Sequence, residues 1–174
     1  GGQAINWNGT SWTVVPAVAS VGLTGVWGGS ASTVLAVGSQ GMLQRYDGTA
    51  WNIASSNFGS SSVTAMWGAS ERDLWVFTSD GMAHHYNGAG WMNTALGGTI
   101  YSVTGTASNN IWAGSDGGNV YRYNGSSWVK SVTREASVIH GIYIAASDRV
   151  VLTQDGSIQF WDGARYTTST MPTS

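Results

Sequence analysis

The chain has 174 residues, a net charge of −2 and 9% charged residues, where about 25% is usual. Seven Lys and Arg are too few for a basic face toward nucleic acid or an anionic membrane, and no apolar run approaches the roughly 18–20 residues of a membrane-spanning helix. Cysteine is absent, which excludes disulfides, thiol catalysis and cysteine-ligated metal; 25 glycines, 10 tryptophans and many Ser and Thr read as an all-β chain, since disorder needs high charge and few aromatics.

In chain order, strands are predicted near residues 3–7, 12–16, 22–27, 34–38, 42–46 and 51–54, and then in the same pattern every 37–40 residues. The first two flank Asn8-Gly9-Thr10. The second unit shows the pattern best: SVTAMWG, DLWVFTS, MAHHYN and WMNTAL, separated by Ala-Ser-Glu-Arg, Ser-Asp-Gly and Asn-Gly-Ala-Gly. Asn-Gly and Asp-Gly between alternating apolar runs are hairpin signals, because both residues tolerate positive φ. No segment has helical periodicity.

The periodicity is a repeat. NWNGTSW (6–12), RYDGTAW (45–51), HYNGAGW (85–91), RYNGSSW (122–128) and FWDGARY (160–166) are copies of one phrase, with closing aromatics 39, 40, 37 and 38 residues apart. A second phrase precedes it, as in GVWGGSASTVLAVGSQG and AMWGASERDLWVFTSDG, and Thr24 to Trp51 aligns with the next two copies without a gap. Four antiparallel strands in about 40 residues, repeated, predict a β-propeller of four-stranded antiparallel blades. With strands A to D named from the axis outward, the chain holds an outer half-blade (residues 1–20, strands C and D) and four full blades, at about 21–61, 62–98, 99–135 and 136–174. Strand C of the half-blade then has an unpaired edge, a feature folded proteins avoid. Its expected completion is further chain or another copy, in a homo-oligomer or by strand exchange. A start in mid-turn makes the absence of a signal peptide uninformative.

The phrases Y-[DN]-G-x-x-W and G-V-W-G-x-S-x-x-x-x-x-A-V-G-x-x-G resemble the propeller repeats of large secreted and surface proteins of bacteria. That resemblance implies the fold and an extracellular or cell-surface setting. The Gly9-to-Trp12 spacing is also similar to the Asp-box of sialidase-like propellers, but its Ser-x-Asp is missing, so no sialidase activity is carried over.

Ten tryptophans suggest a sugar platform, yet every one falls in a repeat column: Trp12, Trp51, Trp91 and Trp128 close the phrase, Trp7 and Trp161 replace its Tyr, and Trp27 with Trp67 and Trp75 with Trp112 share strand positions. Columns filled blade after blade are expected to pack the wedges between blades, as are Tyr46, Tyr86 and Tyr123. The residues that break the pattern are Phe58, Tyr101, Tyr121, His84, His85 and His140. Adjacent His84 and His85 point to opposite faces of a strand, and His85 aligns with Arg45 and Arg122. Asp47 and Asp162 sit in Asp-Gly turns, which are turn chemistry before they are catalysis. Asp80, Asp116 and Asp155 precede glycines of the B–C turns. No buried carboxylate pair or nucleophilic triad is marked, so catalytic residues, metal ligands and cofactors are all expected to be none.

Variation concentrates in the D–A loops, SSNFGSS (55–61), GGT (97–99) and TREAS (133–137), which share a rim with the B–C turns. Variable loops on a constant frame are where scaffolds carry recognition. The expected ligand contacts are Asn57, Phe58, Asp80, Asp116 and Arg134. The composition fits a non-enzymatic, lectin-like recognition module for a glycan or a protein partner; a spacer segment of a larger surface protein is the alternative, and a propeller hydrolase or lyase ranks behind both.

Overall fold

The computed structural model describes residues 4–7, 9–15, 21–133, 135–146 and 149–170. The hairpin β1 (Ala4–Trp7) and β2 (Trp12–Val15) forms a two-stranded sheet, followed by four sheets of four strands. They are β3 (Leu23–Ser30) to β6 (Trp51–Ile53), with β4 (Thr33–Gly38) and β5 (Leu43–Tyr46) between; and β7 (Val63–Ser70), β8 (Asp73–Thr78), β9 (Met82–Tyr86) and β10 (Trp91–Ala95). The third holds β11 (Ile100–Ala107), β12 (Asn110–Ser115), β13 (Asn119–Tyr123) and β14 (Trp128–Val132); the fourth β15 (Gly141–Ala146), β16 (Arg149–Gln154), β17 (Ser157–Trp161) and β18 (Tyr166–Thr170). Each sheet is an antiparallel meander in chain order. The first strands stand side by side, β3 against β7, β7 against β11 and β11 against β15, so strand A is innermost.

The repeated phrase makes the C–D turn. Asp47 Oδ1 accepts the N–H groups of Thr49 and Ala50 at 2.9 Å, and Asn87, Asn124 and Asp162 do the same in the other blades. The following glycine carries the positive φ, +98° at Gly48 and +97° at Gly125, a conformation that costs a residue with a Cβ. Tyr46 donates its hydroxyl to the Gly48 carbonyl (2.9 Å), and its ring meets Trp51 opposite it at 5.5 Å; Tyr86 with Trp91 and Tyr123 with Trp128 repeat this. Tyr-[Asp/Asn]-Gly-x-x-Trp is thus a self-contained corner, which is why it recurs with only like-for-like changes.

Strand A runs longer than its pattern suggests, to Ser30 and Ser70, because the A–B turn is only two residues and a register shift after Gly28 and Gly68 absorbs the mismatch. Three apolar cores fill the wedges between full blades. Leu35, Val37 and Leu43 meet Val63, Leu74 and Val76; Trp75 and Phe77 meet Ile100, Ile111 and Ala113; Trp112 and Val120 meet Ile144, Val150 and Leu152. Each buried Val, Leu, Ile or Phe among them contributes about 1.5–3 kcal/mol. The column reading holds for Trp75 and Trp112, which are buried. It fails for Trp7 and Trp12. Trp12 is 64% exposed: its counterpart Trp128 is covered by Trp75 of the preceding blade, whereas among the described residues the ring that Trp12 meets is Trp7 of its own hairpin. The two end faces are also open: Val26 in front of the first full blade is 71% exposed and Tyr143 behind the last is 66% exposed.

Candidate functional site

The B–C turns and D–A loops do share a rim, and backbone hydrogen bonds tie them together: Gly41 N–H to the Ser61 carbonyl, Leu96 N–H to that of Gly81, Gly118 N–H to that of Ser137. The rim is most elaborated between the first two full blades. There the loop 55–61 crosses the wedge and inserts Phe58, which is 2% exposed. Its ring lies 4.8 Å from both His84 and Trp91, edge-on to the indole. Phe58 is therefore a core residue, a correction to its expected role as a ligand contact: an apolar ring on a loop long enough to fold back stays in the dry wedge.

Beside it runs a chain of polar side chains drawn from four segments. The carboxamides of Asn57 and Asn93 are 2.8 Å apart, and Asn93 lies 3.0 Å from His84 Nδ1. His84 Nε2 lies 3.1 Å from Thr78 Oγ1, and the Thr78 hydroxyl donates to Asp80 Oδ1 at 2.5 Å. Ser61 donates to Asp80 Oδ2 at 2.9 Å. Both imidazole nitrogens thus face oxygens, Nε2 the Thr78 hydroxyl and Nδ1 the Asn93 carboxamide oxygen. Asp80 is held below the usual carboxylate range, first by the Thr78 hydroxyl and then by Ser61, against a desolvation that acts the other way. Burial pushes the His84 imidazole below its ordinary value, opposed by Asn93 and by the charge of Asp80. The array is a rigid anion with a neutral buried histidine behind it.

In a nucleophilic triad the hydroxyl is free at one end and the base lies between it and the carboxylate; here the hydroxyl is in the middle and the ring is 3% exposed. Asn57, Asn93 and Asp80 are the exposed members. Asp116 also reaches the rim, accepting the Ser115 hydroxyl at 3.0 Å, while Tyr121 beside it donates to the Leu96 carbonyl at 2.9 Å; burial first, then the Asp116 charge, raise the tyrosine pKa. Asp155 accepts from His140 at 2.9 Å, and Glu135 accepts the Ser157 hydroxyl at 2.6 Å. Arg134 lies outside the described residues. His85 faces the opposite way from His84, stacked on Trp75 at 4.2 Å and bonded to Asp73 at 2.8 Å.

Sequence reasoning missed Ser61, Thr78 and Asn93, and did not join His84 to Asp80. One signal was available: the His84 column holds Gln44, Tyr121 and Gln159, so it is a polar column inside the sheets, and all four are buried.

No protein-family model matches the chain, and no curated protein sequence matches it. Among solved structures it is similar to YCF48 bound to D1 peptide, with a TM-score of 0.71 and 13% identity over 93% of this chain and 59% of that one. It is similar to the WD40 beta propeller domain of Doa1 as well, with a TM-score of 0.72 and 14% identity over 86% of this chain and 54% of that one. The fold is a β-propeller. The computationally designed Ika4 protein matches with a TM-score of 0.65 and 18% identity over 82% of this chain and 92% of the designed one. This propeller chain spans about three-fifths of the YCF48 chain it matches.

Proposed function

We propose that the chain is a non-catalytic recognition module that binds a polypeptide segment through the B–C and D–A rim, with Asp80 and Asn57 taking a Lys or Arg side chain and its neighbouring amide. The observation that carries this reading is the Asn57–Asn93–His84–Thr78–Asp80–Ser61 array. It holds an ionised carboxylate in a fixed position at the surface. Asp116, Asp155 and Glu135 give the same rim further negative charge, which attracts a cationic partner. The D1 peptide in the YCF48 complex is a precedent for a propeller that takes a peptide. An extracellular or cell-surface setting, implied by the repeat resemblance, belongs to this reading.

The test is fluorescence anisotropy against a panel of Lys- and Arg-containing peptides, with a glycan array in parallel. A charge-assisted hydrogen bond contributes about 1.5–3 kcal/mol, so Asp80→Asn should weaken peptide binding by roughly ten- to a hundredfold, and Asn57→Ala less. Binding of neutral glycans alone, or peptide binding indifferent to Asp80→Asn, overturns the proposal.

A further inference from the structure

The wedges between full blades obey a size rule at strand A. Trp27 of β3 lies on Gly68 of β7: a Cβ on that glycine would stand 2.8 Å from the indole Cε2, and the indole N–H donates to the Gly68 carbonyl at 3.0 Å. Trp67 lies on Gly105 in the same way, 2.6 Å from the place of its Cβ. In the third wedge both partners change together, with Thr104 at the tryptophan position and Ile144 at the glycine position. A large side chain sits on glycine, and a small one faces a large one.

Gly28 is the corresponding glycine on the front of the first full blade, and a Cβ there would meet no atom within 4 Å. A cleft of about 670 Å³ opens beside it, between Val26, Val34 and Ala36 on the blade and Ala4 and Ile5 of β1. Among the described residues β1 pairs with β2 alone. In every full blade the other edge of strand C is taken by strand B.

We propose that this cleft is a docking site for a further β-hairpin of this same repeat, made of strands A and B. Its strand B adds antiparallel to the free edge of β1, and its strand A lays a tryptophan on Gly28. The three filled wedges show what such a face receives, and the size rule names the side chain. A folded second copy is not the occupant, because its A–B hairpins, β3–β4, β7–β8, β11–β12 and β15–β16, are each already committed to a four-stranded sheet. The site uses none of the rim residues and stands independently of the rim's ligand.

The probe is a synthetic hairpin copying Ser62–Asp80, which carries Trp67, compared with its Trp67→Thr version. The chain should bind the tryptophan hairpin one to one, with slowed amide exchange at residues 4–7, and the threonine version about tenfold or more weakly. Gly28→Ile, which copies the Thr104–Ile144 pair, should reverse the preference. Because an isolated hairpin is only marginally stable, the same two hairpins are also joined ahead of Gly1 by a Gly-Ser linker, which raises their effective concentration. The tryptophan fusion should then raise the Tm of the wild-type chain, and the threonine fusion that of Gly28→Ile. Equal behaviour of the two hairpins toward both chains overturns the proposal, as does failure of every pairing with the chains folded by circular dichroism. Self-association that rises with concentration and is abolished by Val26→Arg overturns it too, by making a second copy the occupant.

Discussion

Phe58 gives the sharpest separation between a rim that binds through its aromatic ring and a rim whose aromatic ring belongs to the core. The ring is 2% exposed and lies in the wedge with Leu35, Leu43, Leu74 and Val76. Phe58→Ala removes its edge-on contact with Trp91 and its contact with His84, both at 4.8 Å. The loop that carries it is tied at the Gly41–Ser61 hydrogen bond (2.9 Å) and at Ser56 Oγ to the Gly41 carbonyl (3.0 Å), so the space can collapse only in part. Truncation of a buried phenylalanine with a residual cavity costs about 3–5 kcal/mol. For a domain of this size that lowers Tm by roughly 6–20 °C. The assay is thermal unfolding followed by near-ultraviolet circular dichroism, where the Trp91 signal should also change. A Tm within about 2 °C of wild type would refute the packing argument and return Phe58 to the ligand contacts.

Further perturbations test other links. His84 is neutral and buried, so its folded pKa lies below the unfolded value of about 6.5; the unfolded chain therefore takes up the proton first. Its share of stability is present above that pH and lost as pH falls toward the folded pKa, at up to about 1.4 kcal/mol per unit, and His84→Gln, the residue at Gln44 and Gln159, should flatten the profile between pH 7.5 and 5 in urea titrations. Gly105→Val places a branched side chain against the Trp67 ring and should cost about 1–3 kcal/mol; paired with Trp67→Thr, the double-mutant cycle should show a coupling of roughly 0.5–3 kcal/mol, and strict additivity would remove the size rule. Gly125→Ala forces a Cβ into a φ of +97° and to 2.8 Å from Asn109 Cβ, so urea denaturation should show a loss of about 1–2 kcal/mol.

The repeat architecture was legible because its determinants are local. An Asp or Asn that caps two N–H groups of its own turn, a glycine at positive φ and a Tyr–Trp pair across one hairpin all lie within seven residues, and each recurs as a visible phrase. Strand identity, the four full blades within this chain and the shared rim follow from that spacing alone. Local signals also carried the opposite orientations of His84 and His85, since neighbours on a strand must alternate. What they could not carry is which side chains meet across blades. Asn57 and Asn93 are 36 residues apart, Thr24 donates to the Val63 carbonyl 39 residues on, and nothing in a single copy records these pairings. Phe58 shows the consequence: on a variable loop it reads as exposed, and only the neighbouring blade supplies the apolar wedge that takes it in. Trp12 shows the converse. Its column is half-buried or buried in the full blades, but that cover comes from the preceding blade, as Trp75 covers Trp128, and at 64% exposure Trp12 stands in water.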